Sequence, residues 1–181
     1  MRRFLTLPLA LLLSTSGQAA VTPATPATPA RHAHAAAPVP AGPLVVAVFN
    51  TPTQILDTAT RATLPRTTVR AGTHGAAPVA WSGVALVEIL RRAGAPLDKA
   101  LSGKAMGSVV RVIGSDGYVA VFALAELDAG FGKAQVLLAD AQDGKPLGDD
   151  GPLRLVVPGD TRAGRWVRRV ERIEVVDASG R

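Results

Sequence analysis

The sequence predicts an α+β fold, with a mixed β-sheet and short helices. Apolar stretches of strand length recur between Pro, Gly, Asn and Asp residues, which is the pattern of short strands. Roughly seven such strands alternate irregularly with two or three helical segments, whereas a doubly wound parallel sheet requires regular alternation. The 181 residues suffice for one ordinary domain with tails, and they are too few for two such domains.

The first half of the domain is predicted to hold three strands and two helices. They are a strand at residues 44–49, a strand at 53–57 that pairs with it, a short helix at 58–64, a strand at 67–70, and a helix that ends at residues 91–93. Pro65 ends the short helix because proline cannot continue it. Gly83, Val84 and Leu86 are expected to set the start and the packing of the second helix, whose apolar residues recur at helical spacing until Gly94 stops it.

The second half is predicted to be rich in strands. Its elements are strands at residues 108–113 and 118–122, one or two helical turns at 123–127, and strands at 136–139, 153–157 and 166–176. The segment Gly114-Ser-Asp-Gly117 supplies turn residues between the first two strands and therefore indicates a hairpin. The last strand is predicted from the alternation of Val167, Val170, Ile173 and Val175.

The N-terminus resembles a secretory signal peptide over residues 1–20. Arg2 and Arg3 precede an apolar run of about ten residues, which is short for a membrane-spanning helix. A Pro/Ala/Thr-rich, disordered linker is predicted at residues 21–43, the folded domain at 44–177 and a short tail at 178–181. We therefore expect a periplasmic or secreted protein without a stable membrane anchor after signal cleavage.

Charge and composition limit the chemistry. The sequence has no cysteine, which excludes disulfides, a thiol nucleophile and cysteine metal sites. The net charge is +6, and arginines crowd near the C-terminus at Arg162, Arg165, Arg168, Arg169 and Arg172. Trp166 is the only aromatic residue among them, so nucleic acid is not an expected partner. Two interpretations remain open, a local anion site and a solvated strand face bearing alternating arginines.

No nucleotide-binding or hydrolase motif is present in the sequence. His74 is the only histidine of the predicted domain and lies in a loop beside Gly72 and Gly75. Such a side chain either faces a ligand or is exposed to solvent. A lone histidine without cysteines does not make a zinc site unless carboxylates complete it, so no metal site is predicted.

Several motifs follow one another along residues 44–176. They are Trp81-Ser-Gly-Val84 with Leu86 and Ala93-Gly94; Asp116-Gly117-Tyr118 with Phe122-Ala-Leu124; Val136-Leu-Leu-Ala139 with Asp143-Gly144-Lys-Pro146-Leu147; Gly151-Pro-Leu-Arg154-Leu-Val-Val-Pro158-Gly159; and Arg165-Trp-Val-Arg168 with Ile173-Glu-Val. In this order they resemble the oxidoreductase molybdopterin-binding domain, which sulfite oxidase and its bacterial relatives carry. The sequence looks most like the small, stand-alone exported members of that family.

The resemblance implies a sulfite oxidase molybdopterin-domain-like fold and makes molybdopterin a possible cofactor. It places Arg165 and Arg168 at the family's arginine and lysine positions near the anionic pterin phosphate, with Arg168 replacing the usual lysine. Arg154 belongs to the same arginine-rich region, where an unpaired charge inside an apolar run would be costly. Tyr118 matches a tyrosine of the family's substrate pocket, and packing within the hairpin is the alternative role. His74, Tyr118, Arg154, Arg165 and Arg168 are therefore the candidate cofactor-binding residues.

The metal is where the sequence departs from the family. The family's enzymes bind molybdenum through the pterin dithiolene and one cysteine upstream of the tryptophan motif, and the matching stretch here is residues 67–75. Threonine or histidine does not replace a soft thiolate without changing metal affinity and redox potential. The resemblance therefore leaves open whether the protein is an enzyme.

The function expected from the sequence is an exported homologue that binds an anionic small molecule or a pterin without sulfite-oxidase-type catalysis. One alternative is an active periplasmic molybdenum-dependent oxidoreductase with ligands other than cysteine, with His74 as a candidate. A second alternative is a periplasmic domain whose arginines bind an acidic protein partner.

Overall fold

The computed structural model describes residues 43–72 and 75–180. The predicted signal peptide, the predicted linker up to residue 42, and His74 lie outside the described residues. Within the described ranges the chain forms ten β-strands in two sheets, with three short α-helices. The predicted α+β class is confirmed, although the strands divide between two sheets where the sequence indicated one.

The elements have the following bounds in chain order. The strands are β1 (Leu44–Val48), β2 (Gln54–Leu56), β3 (Arg66–Ala71), β4 (Val79–Ala85), β5 (Ser108–Gly114), β6 (Val119–Ala123), β7 (Leu137–Gln142), β8 (Lys145–Pro146), β9 (Arg154–Val156) and β10 (Val170–Asp177). The helices are α1 (Thr58–Ala62), α2 (Leu86–Arg92) and α3 (Leu124–Leu127).

The first sheet has the strand order β2-β1-β10-β5-β6. It is mixed, because β1 runs parallel to β10 while the other neighbouring pairs are antiparallel. The predicted pairing of the second strand with the first is confirmed by Val45 facing Ile55. The predicted hairpin is confirmed by β5 and β6, which pair from Val109 with Ala123 to Ile113 with Val119.

The second sheet is antiparallel and has the strand order β3-β4-β7. The far edge of β7 is shared, because β8 pairs with its C-terminal end and β9 pairs with its N-terminal half. In that pairing Arg154 lies opposite Ala139. Buried side chains from both sheets and from α2, such as Val46, Leu138 and Ile89, form one hydrophobic core.

Gly83 and Val84, predicted to set the start and packing of the second helix, precede that helix and do not belong to it. Both residues lie in β4, and α2 begins at Leu86 directly after the strand. Gly83 is required by sheet packing, because a Cβ atom there would lie 2.1 Å from the carbonyl oxygen of Leu138 on β7. The apolar residues around Val84 fit helical spacing in the sequence, and the pairing with β7 overrides that pattern.

The predicted last strand begins too early. Residues Ala163–Arg165 form a 3-10 turn, and β10 begins only at Val170. Arg169 adopts a φ of 46°, a left-handed conformation that interrupts an extended chain. The arginines therefore divide between a loop, which carries Arg162, Arg165, Arg168 and Arg169, and a strand, which carries Arg172.

In the described ranges no helix is long and apolar enough to cross a membrane.

Candidate functional site

A cavity of about 510 Å³ lies between the β5–β6 hairpin turn and the loop before β10. Its lining residues are Asp116, Tyr118, Arg154, Arg162, Ala163, Gly164, Trp166 and Arg168. We refer to it as the arginine cavity. Three of the lining residues are arginines and one is an aspartate, so the cavity favours an anion.

Arg154, at the start of β9, is the most enclosed of these arginines. Its guanidinium carbon lies 5.1 Å from the ring centroid of Trp81 and 5.7 Å from that of Trp166. The two rings are themselves in edge-to-face contact, with centroids 5.7 Å apart. Each indole N–H donates to a backbone carbonyl, that of Ala71 or that of Val157, which fixes both rings.

The environment of Arg154 is short of negative charge. Its side chain is 11% exposed and pairs with Asp150, while its Nε is buried and has no hydrogen-bond partner among the described residues. Burial lowers the pKa of Arg154, Asp150 raises it, and the nearby Arg168 lowers it. A bound anion would offset both the burial and the repulsion, since a hydrogen bond to a charged group contributes about 1.5–3 kcal/mol.

Asp150 joins two of the cavity's arginines. Besides pairing with Arg154, its carboxylate lies 3.3 Å from the Nε of Arg168, whose side chain is 62% exposed. One carboxylate thus serves two guanidinium groups. Arg162 is exposed and has no ion pair among the residues that the structure describes.

Tyr118 closes one side of the arginine cavity. It follows the β5–β6 hairpin turn and is 51% exposed, and its hydroxyl donates to the carbonyl of Gly164 at 2.5 Å. The carboxylate of Asp116 accepts from the Tyr118 backbone N–H at 3.0 Å and fixes the turn below it. The phenol therefore adds to the contact between the two loops that bound the cavity, where the N–H of Ser115 also donates to the carbonyl of Arg169 at 3.0 Å.

Arg165 does not line the arginine cavity. Its guanidinium donates to both carboxylate oxygens of Asp160, at 2.9 and 2.7 Å, and to Glu126 at 3.1 Å. Its guanidinium carbon also lies 4.6 Å from the ring centroid of Phe122. These hydrogen bonds raise the pKa of Arg165, so its charge is already compensated within the protein.

The structure thus brings together Tyr118, Arg154 and Arg168 of the predicted site residues, and separates Arg165 from them. His74 lies outside the described residues. Sequence reasoning singled out Arg162 only as a member of the arginine cluster, and it missed the contributions of Asp116, Gly164 and Trp166. The sequence pattern around these residues, a turn rich in Gly and Asp near an aromatic residue, occurs in many loops and therefore does not identify a binding site.

The resemblance to the family implies a molybdopterin cofactor. The residues of this chain suit the organic pterin part of that cofactor and its metal to different degrees. The guanidinium groups of Arg154, Arg162 and Arg168, which line one cavity, suit the anionic end of a pterin. The sequence contains no cysteine, and the described residues hold no group of three His, Asp or Glu side chains that could bind a metal ion. The residues fit the organic part of the cofactor and do not fit thiolate ligation of the metal.

Solved structures of known proteins resemble this chain, and one of them is a dehydrogenase. The sulfane dehydrogenase SoxCD from Paracoccus pantotrophus aligns with a TM-score of 0.60 and 22% sequence identity. The alignment covers 75% of this chain and 38% of the SoxCD chain, so this chain spans well under half of that relative. At this identity the likeness shows the fold, which is that of a sulfite oxidase-like molybdopterin domain. No curated protein matches the sequence.

The family assignment rests on the sequence match. Residues 54–180 match the family described as oxidoreductase molybdopterin binding domain. This range takes in β2 to β10 and every residue that lines the arginine cavity. Because the match covers more than half of the chain, the protein belongs to the oxidoreductase molybdopterin-binding domain family.

Proposed function

We propose that this protein binds an anionic small molecule of the phosphorylated pterin class in the arginine cavity, without sulfite-oxidase-type catalysis. The observation that carries the proposal is that Arg154 and Arg168 share the single carboxylate of Asp150 at a cavity that Arg162 also lines. Membership of a molybdopterin-binding family supports the pterin as the ligand class. The absence of cysteine from the sequence supports the second half of the proposal.

Charge and shape favour a phosphomonoester over a neutral pterin. A phosphate group carries about −1.5 to −2 charge near pH 7 and presents three acceptor oxygens. Arginine binds such a group with two parallel N–H donors, which lysine does not offer. Tyr118 and Trp166 add aromatic surface to the same cavity, where a planar heterocycle packs well.

The test is an equilibrium titration of the full chain with neopterin monophosphate, followed by the intrinsic fluorescence of the pterin. Neopterin without the phosphate and inorganic phosphate are the matched ligands. We expect the phosphorylated pterin to bind at least tenfold more tightly than either of the others, about 1.4 kcal/mol. Equal affinity for neopterin with and without its phosphate would overturn the proposal.

Family membership also favours a second function, that of a molybdenum-dependent oxidoreductase with ligands other than cysteine. Metal analysis of the protein purified from its own host separates the two functions. The first function predicts molybdenum far below one atom per chain. Stoichiometric molybdenum, together with a fluorescent oxidised pterin released on denaturation, would establish the second function instead.

We further propose that the protein is exported to the periplasm or secreted. The support is the positively charged start, short apolar run and small residues Gly17 and Ala19 of the N-terminal 20 residues. N-terminal sequencing of the protein from its host tests this directly. A mature N-terminus close to residue 20 is expected, and an intact Met1 in the cytoplasmic fraction would contradict export.

A further inference from the structure

A second cavity, of about 450 Å³, shares no lining residue with the arginine cavity. It lies beside β3 and is bounded by the β4–α2 junction, the beginning of β7 and the segment that follows α3. Its floor is formed by apolar side chains, among them Val69, Val87, Leu127, Val136 and Leu137. We call it the Lys133 cleft, after the one lysine on its rim.

The three charged residues that line the Lys133 cleft differ in whether they have an ion-pair partner. Arg66 is held by both carboxylate oxygens of Asp140 at 2.6–2.8 Å, and Glu88 accepts from Arg91 at 2.6 Å. Lys133 is exposed and has no acidic partner within ion-pair distance among the residues that the structure describes. The cleft therefore offers an apolar surface and a single uncompensated positive charge.

The turn that carries Lys133 is fixed in place before any ligand binds. Lys133 adopts a φ of 53°, and its N–H donates to the carbonyl of Asp128 at 3.1 Å. On either side, the N–H of Gly132 donates to Ala125 and that of Ala134 donates to Glu126, at 3.2 and 2.8 Å. The fixed turn keeps the start of the Lys133 side chain at the cleft, so that only side-chain freedom is lost when the ammonium group binds a ligand.

We infer that the Lys133 cleft binds a small amphipathic carboxylate, with its alkyl or aryl body on the apolar floor and its carboxylate on Lys133. Pockets of this size that are mostly apolar, with few convergent polar groups, are typical ligand sites. The charge selects an acid over the corresponding alcohol or amine, because only the acid pairs with the ammonium group. This inference is independent of the arginine cavity and of its ligand.

The experiment is a calorimetric titration of the full chain with octanoate, octanol and octylamine. We expect octanoate to bind about fivefold more tightly than octanol, and octylamine to bind least, because solvent partly screens an ion pair with an exposed lysine. Replacing Lys133 by methionine keeps the apolar stem and should reduce octanoate affinity about fivefold to the level of octanol. Lys99→Met, at an exposed lysine outside the cleft, is the matched control.

Two further variants locate the binding. Ala129 lines the cleft and is exposed, so Ala129→Trp fills the space without disturbing the core and should abolish binding of both octanoate and octanol. Arg168→Gln, in the arginine cavity, should leave octanoate binding unchanged. The inference is overturned if octanoate fails to bind, if Lys133→Met binds it as tightly as the unmodified protein, or if Arg168→Gln alone removes the binding.

Discussion

Arg154 and Arg165 are both arginines of the predicted site, yet their surroundings differ in charge balance. Arg165 has two carboxylates to itself, Asp160 and Glu126, and these raise its pKa. Arg154 shares Asp150 with Arg168, is more deeply buried, and has a lowered pKa. An arginine that is compensated within the fold acts as a structural brace, whereas one left short of acid is available to a ligand.

This difference in charge balance predicts that substitutions at Arg154 and at Arg165 affect different properties of the protein. Changes around Arg154 should act on ligand affinity, and the change at Arg165 should act on the stability of the loop. The variants below test that division with the neopterin monophosphate titration.

The largest effect is expected for Arg154→Gln, which removes the enclosed guanidinium. Loss of a charge-assisted hydrogen bond costs about 1.5–3 kcal/mol, so affinity should fall roughly 10- to 150-fold. Arg154→Lys retains the charge without the planar fork and should show an intermediate loss. Circular dichroism of both variants checks the fold, and full affinity in a folded Arg154→Gln protein would remove Arg154 from the site.

Arg168→Gln should have a smaller effect on affinity. The Arg168 side chain is 62% exposed, so solvent screens its interaction with the ligand. We expect a loss of about fivefold, or roughly 1 kcal/mol, that shrinks as salt is added. A salt series from low to high ionic strength measures this, and a loss unaffected by salt would indicate that Arg168 acts through packing instead.

Tyr118→Phe should change affinity less again, by about twofold. The variant deletes the hydrogen bond to Gly164, which joins the two loops, and keeps the aromatic ring in the cavity. A hydrogen bond of this kind contributes about 1 kcal/mol or less at an exposed position. Ligand association measured by stopped flow should become faster if the phenol restrains the loops, and a tenfold loss of affinity would mean that the hydroxyl contacts the ligand.

Arg165→Gln is expected to leave affinity unchanged. It should lower the free energy of unfolding by about 1 kcal/mol, because the exposed ion pairs and the contact with Phe122 are each weak. Urea unfolding of the variant beside the unmodified protein measures the change. A loss of affinity larger than that of Arg154→Gln would reverse the assignment of the two arginines.

Much of the fold follows from local sequence signals. The β5–β6 hairpin forms where the turn residues predicted it, with Gly117 at a φ of 79°, and its two strands show alternating burial. The strand β4 could not be recognised, because its residues Gly83 and Ala85 are small and it runs directly into α2. What makes it a strand is its pairing on one side with β3 and on the other with β7, which lies more than fifty residues away in the chain.

The candidate site was predictable only in part. The crowding of arginines near the C-terminus correctly indicated an excess of positive charge, and Arg154 was conspicuous within an apolar run. Which arginines are compensated depends on acids placed by the fold. Glu126 reaches Arg165 across a separation of 39 residues, a contact that no sequence pattern reveals.

The most direct test of the proposed site is the preference for the phosphate group, which is the ratio of the affinities for neopterin monophosphate and for neopterin. It is measured in Arg154→Gln and in Arg165→Gln. We expect the preference to disappear in Arg154→Gln and to persist in Arg165→Gln. A preference that persists in Arg154→Gln and disappears in Arg165→Gln would contradict the proposed site, and would place the anion at the other arginine.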